Sequence, residues 1–150
     1  MFTQDIFIDK AGWSVRVYHD ADALCADEII DDLITLGCRG EDLRKTKRML
    51  WDGMVDSGVT FSDTRRRKSI IVIGNTTSGR EYWNSIDHEK NHLLQDISLA
   101  IGIDPYGEEI SYISGEFIRS VYDEAKNLLC ECCRKRVSLK STRKPYKHLI

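Results

Sequence analysis

The residues best suited to chemistry are His88-Glu89-Lys90-Asn91-His92. Two histidines four positions apart fall on one face of a helix, one turn from each other. Neutral imidazole suits a divalent metal such as Zn²⁺, and two protein nitrogens leave positions open for a third ligand and a water. Glu89 follows the first histidine directly, where a carboxylate can take a proton from zinc-bound water. Metal ligands and general base would thus come from five consecutive residues. The plain alternative is a surface helix that carries two histidines without using them.

A helix must position these residues, and the flanking sequence supplies one. Ser78-Gly79-Arg80-Glu81 fits a capping box, with Ser78 as N-cap and Glu81 three residues on. Tyr82, Ile86, Leu93 and Ile97 form an apolar stripe apart from the histidines, and Gly102 is the expected stop. Asp104-Pro105 marks a turn and a new start, from which a second helix is expected over about Tyr106 to Cys130.

That second helix bears on the third ligand. An H-E-x-x-H-x-x-G-x-x-H site is excluded, because Gln95 and Ser98 stand at the glycine and third-histidine positions. Glu108 and Glu109 open a helix that returns antiparallel after a short turn, so one of them can face the later turns of the first helix. Glu108 shares a stripe with Tyr112, Gly115 and Arg119, and is the first choice; Glu109 is the second. N-terminal glutamates that only favour the helix dipole are the bland reading. Ser111 and Gly115 would let the two helices approach closely. Tyr112 is a candidate oxyanion donor or a packing residue, and Gln95 or Asp96 a candidate partner behind a histidine.

Upstream, Ile6 and Ile8, a turn at Asp9-Lys10-Ala11-Gly12, and Trp13, Val15 and Val17 read as a hairpin with one buried face. Asp20 or Asp22 caps a helix carrying Leu24, Ile29, Ile30, Leu33, Ile34 and Leu36, which ends at Gly37. A further helix is expected over about Glu41 to Asp56, with Leu43, Leu50, Trp51, Met54 and Val55 on its apolar side. Val59 to Ser62 and Ser69 to Gly74 read as strands, the second β-branched and continuous. The Arg65-Arg66-Arg67-Lys68 run between them reads as a solvated turn.

Residues 58 to about 120 resemble a family of small predicted metallopeptidases of phages and prophages, a zincin type with gluzincin-like features. The resemblance rests on Gly58 to Ser62, Ser69 to Gly74, the Ser78-to-His92 helix with H-E-x-x-H, and Gly107 to Gly115. It implies a minimal zincin-like α+β domain: a small β-sheet, an H-E-x-x-H helix, and a following antiparallel helix with the third ligand. On that reading His88, His92 and Glu108 bind Zn²⁺ and Glu89 activates water for peptide-bond hydrolysis, with Tyr112 beside it. Glu108 is the glutamate the family pattern selects; Ser111 departs from the usual alanine. Resemblance to zincins also implies an edge strand beside the helix, expected at 69–74, with which an extended substrate pairs. Iron and manganese accept similar ligands.

At 150 residues, with 41% apolar and 31% charged side chains, residues 1–133 read as a single domain able to bury its own core. No signal peptide or membrane span is evident, so cytoplasm of a host cell or association with a virion is expected, with no membrane partner. The five cysteines (Cys25, Cys38, Cys130, Cys132, Cys133) are an odd number and read as reduced thiols. Seven of the 22 Lys/Arg fall in residues 134–150 with no acid, leaving 15 bases against 24 acids, or −9, in the rest. That basic tail, expected to be flexible, can meet nucleic acid or a neighbouring copy of the acidic body. Two other classes of function therefore stand beside the metallopeptidase. One is a phage structural or assembly protein with a structural or relict zinc site; the other is a nucleic-acid-binding regulator using the tail.

Overall fold

A computed structural model describes residues 1–129. Residues 130–150, with the three clustered cysteines and the basic tail, lie outside the described residues. The chain is α+β: a four-stranded sheet with two helices on each face.

The N-terminal hairpin forms as its alternation predicts. Strands β1 (Phe2–Ile8) and β2 (Trp13–Ala21) pair antiparallel, with Ile8 opposite Trp13. Ile6, Ile8, Trp13, Val15 and Val17 point to one face and are buried. Asp22 accepts from the Leu24 amide and starts a single 3₁₀ turn, which leads into α1 (Ala26–Leu36). Leu24 sits in that turn and is exposed, so the apolar stripe begins at Ala26 and runs through Ile29, Ile30 and Leu33.

Helix α2 (Gly40–Trp51) is shorter than its apolar pattern suggests. Gly53 and Met54 both take left-handed backbone conformations, which end the helix before Val55. Met54 then folds under the sheet. Its carbonyl lies so close to Gly74 that a Cβ there would sit 1.7 Å from the Met54 oxygen. Trp51 and Val55, expected on a buried face, are exposed.

Strand β3 (Gly58–Asp63) pairs antiparallel with β4 (Lys68–Gly74), and β4 pairs parallel with β2. The order β1-β2-β4-β3 places β4 inside the sheet and β3 at its edge. This explains the unbroken apolar run of β4. Ile71 and Ile73 face one helical layer and Ile70 and Val72 the other. It also corrects the expected edge strand: the edge beside the next helix is β3, not residues 69–74.

Helix α3 (Gly79–Ile101) contains the whole H-E-x-x-H segment. Ser78 Oγ accepts from the Glu81 amide at 3.1 Å, and Gly102 closes the helix in the left-handed region. The chain reverses at Asp104, whose carboxylate accepts from the Tyr106 amide, and α4 (Glu108–Leu129) runs back antiparallel. The close approach of the pair is at its far end. A Cβ on Gly79 would lie 2.4 Å from the Leu129 carbonyl oxygen. Gly115, expected at the contact, faces open space. No helix among the described residues is long and apolar enough to cross a membrane.

One polar relay crosses this layer. His19, fully buried on β2, lies 2.5 Å from the Tyr82 hydroxyl through Nδ1 and 3.0 Å from Gln4 Oε1 through Nε2. Gln4 in turn donates to the Ser120 carbonyl. A neutral imidazole with its proton on Nε2 satisfies both contacts: it donates to Gln4 and accepts from Tyr82. The relay thus joins α3, β2, β1 and α4. Burial pushes the His19 pKa down to about 4. Between pH 6.5 and 4 the unfolded chain therefore binds a proton at His19 that the folded chain refuses, so stability falls with pH across that window. The expected loss from this residue is roughly 3 kcal/mol. Urea unfolding from pH 7 to 4 checks it: His19→Gln should show a shallower decline than wild type, and parallel curves would refute it.

Candidate functional site

Helix α3 sets the histidine geometry by itself. His88 and His92 are exposed on adjacent turns, with their Nε2 atoms 3.2 Å apart and ring centroids 4.9 Å apart. With metal–nitrogen distances of 2.0–2.1 Å, two tetrahedral ligands have their nitrogens about 3.3 Å apart. The pair therefore converges at the spacing that one ion requires. The same distance also suits a hydrogen bond in which one ring donates Nε2–H to the other.

Glu89 does not share their exposure. Successive helical residues turn by about 100°, so Glu89 lies on the buried side of the histidines, toward β3. It is 4% exposed, and its Oε2 accepts from Thr60 Oγ1 at 2.6 Å. The slot that holds it is made by Gly58: a Cβ at that position would be 2.7 Å from Glu89 Cγ and 3.0 Å from Oε1. Oε1 lies against Gly58 and takes no hydrogen bond among the described residues. One oxygen of the carboxylate is anchored by a hydroxyl and the other packs against the glycine.

A second carboxylate repeats the arrangement two turns on. Asp96, proposed as a partner behind a histidine, instead accepts from Ser62 Oγ at 2.6 Å. Ser62 lies 2.8 Å from Ser69 Oγ, and Ser69 accepts from Trp13 Nε1. Thr60 and Ser62 thus hold Glu89 and Asp96, fixing the edge strand to the helix. Gln95 is exposed.

The structure does not bring Glu108 or Glu109 to the histidines. Both are exposed in the first turn of α4. The turn between the helices and the contact of Leu129 with Gly79 set Glu108 opposite the last turn of α3. It is thus about eight residues, or about 12 Å along the axis, from the level of His92. The flank is also opposite: α4 lies over β1, whereas α3 lies over β3 and β4. Among the described residues no third His, Cys, Asp or Glu joins the pair. Tyr112 is exposed beneath the Lys10 ammonium, 5.6 Å from its ring centroid, facing the β1–β2 turn and not the histidines.

Two clefts are formed without the histidines, and the larger, about 640 Å³, lies at the start of α3 with Trp83, Asn84 and Asp87 in its lining. A cleft of about 440 Å³ lies on the opposite face of the sheet, between β1–β2 and α1. Phe7, Arg16, Asp32 and Lys68 are among its lining residues. There Arg16 bridges Asp5 and Asp32, and the guanidinium holds the Asp5 carboxyl below its ordinary pKa. The histidine pair therefore stands on an open surface beside a sheet edge.

Among the described residues nothing pairs with that edge. The Gly74 amide donates to the Ser57 carbonyl, and the antiparallel ladder continues in register, so Val59 and Phe61 turn their backbone groups toward β4. Gly58, Thr60 and Ser62 turn theirs outward. The residues that cradle the carboxylates are the ones whose main chain can pair with an added strand. Sequence reading missed Gly58, Thr60 and Ser62 as site residues. Their signal was present, since small and hydroxylic side chains occupy every second position of a strand next to the H-E-x-x-H helix.

No family model, no curated protein and no solved structure matches this chain. The site is therefore argued from its own geometry. Gly58→Ala tests the slot. The added methyl group must displace the Glu89 side chain, and an overpacked buried site of this kind costs about 1–3 kcal/mol. Chemical denaturation should show that loss, and unchanged stability would mean that Glu89 does not occupy the slot.

Proposed function

We propose that α3 and the edge strand β3 form a metal-dependent hydrolytic site of the zinc metallopeptidase type, within a zincin-like arrangement. The observation that carries this reading is the 3.2 Å separation of the His88 and His92 Nε2 atoms, the spacing of two nitrogens on one tetrahedral ion. His88 and His92 would hold Zn²⁺. The remaining positions fall to solvent, substrate or a side chain beyond residue 129. Bound there, Zn²⁺ would supply Lewis acidity and make water a stronger acid.

The chain's own residues do the rest. Glu89 accepts the proton of the attacking water, then passes it to the leaving amine. The free edge of β3 offers main-chain donors and acceptors at Gly58, Thr60 and Ser62 for an extended peptide. An open edge needs no deep cleft. This matches the absence of the histidines from the clefts described above.

A second reading is a metal site without catalysis, in a structural or assembly protein. It is favoured by the exposure of both histidines and by the lack, among the described residues, of a third protein ligand.

Metal analysis and turnover separate the two. Wild-type chain equilibrated with Zn²⁺ should hold about one ion, and His92→Ala should weaken binding ~100-fold or more. Glu89→Gln should retain the metal and lose hydrolysis of labelled, unfolded casein by ~10²–10⁴-fold. Equal turnover in wild type and Glu89→Gln would leave the non-catalytic reading; no zinc in wild type would remove both.

A further inference from the structure

We infer that Thr60 is the positioning residue of this site, a role that rests on the reading of Glu89 as general base. A buried glutamate has several rotamers, and only some turn an oxygen toward the histidine side. Here one hydroxyl decides among them. Thr60 Oγ1 lies 2.6 Å from Glu89 Oε2 and 3.2 Å from the Glu89 carbonyl oxygen. It has a single proton, and the shorter contact to the carboxylate takes it. With Oε2 engaged, Oε1 is seated against Gly58 and is the oxygen without a hydrogen bond among the described residues.

Thr60 also carries two functions in one residue. Its side chain faces α3, and its amide and carbonyl turn to the free edge of the sheet. A peptide that pairs with Thr60 is thereby registered against the carboxylate that Thr60 holds.

Thr60→Val and Thr60→Ser test this on the zinc-loaded full-length chain. Valine keeps the shape and removes the donor; serine keeps the donor. Zinc affinity should stay within about twofold of wild type in both, because neither touches a histidine. With labelled unfolded casein, kcat should fall ~10–100-fold in Thr60→Val with KM unchanged, and recover to within a few-fold in Thr60→Ser. Full turnover in Thr60→Val, or serine as poor as valine, would overturn the role.

A second measurement stands apart from activity. Thr60→Val should lower Tm by a few degrees in the wild-type background and leave it unchanged in a Glu89→Leu background. Equal shifts in both backgrounds would show that the contact is absent and end the proposal. A normal thermal coupling with no turnover in the zinc-loaded wild type would instead place the failure in the catalytic reading, and Thr60's role in positioning a base would go with it.

Discussion

The arrangement depends on two carboxylates held against a strand edge, Glu89 buried and Asp96 half-buried. A carboxylate placed between a helix and a sheet without a partner loses hydration at a cost. Glu89 and Asp96 avoid that cost because Thr60 and Ser62 reach them at 2.6 Å. They are seven residues apart on α3, two turns, and their donors are two residues apart on β3. Seven helical residues rise about 10.5 Å and two strand residues about 6.7 Å, and the side chains reach across the difference to form both pairs along one seam. The seam fixes the helix axis relative to the edge strand, and so determines where the two histidines stand. Apolar packing alone would let the helix slide by a fraction of a turn, whereas two charge-assisted hydrogen bonds at fixed spacing do not.

The other half of the layer is tied by a different device. Tyr82, His19, Gln4 and Ser120 form a chain of contacts from α3 across β2 and β1 to α4. Every member finds a partner when the imidazole is neutral. Together with Gly79 against Leu129, this relay seats α4 above β1. That placement decides the fate of Glu108. The start of α4 must lie near the end of α3, because only six residues join them. A residue at the start of the second helix cannot also reach the middle of the first.

Local signals in the chain were legible and tertiary ones were not. The H-E-x-x-H helix, its Ser78 cap and its Gly102 stop are set within a few residues, and each forms as the pattern indicates. The hairpin and the continuous apolar strand are read equally directly. The sheet order is not local: resemblance places 69–74 at an edge, whereas the two-sided burial of β4 is what an interior strand needs. Trp51 and Val55 fit a helical stripe by spacing, but the left-handed backbone at Gly53 and Met54 breaks the helix between them. Thr60 and Ser62 carried no recognisable motif; their importance arises only once β3 lies against α3. Glu108 was chosen by its place in a stripe and by family resemblance, and neither consideration contains the register of the two helices.

The contrast between the two histidines and their neighbour has a physical logic. A metal ligand gains by being mobile enough to converge on an ion, and the imidazole spacing here comes from helix geometry alone, without supporting contacts from elsewhere. A general base gains by being fixed, because proton transfer depends on distance and direction. In this chain the exposed residues are the two candidate ligands, and the buried, hydrogen-bonded residue is the candidate base. A merely decorative H-E-x-x-H on a surface helix gives no reason for that division. Burying the one acidic residue of the motif adds a desolvation cost and requires a glycine and a hydroxyl on another strand to relieve it. A solvated glutamate would have carried no such cost. The fold therefore holds Glu89 in one orientation, which ties the helix to the strand as Asp96 and Ser62 do and is also what the proposed role of general base would require.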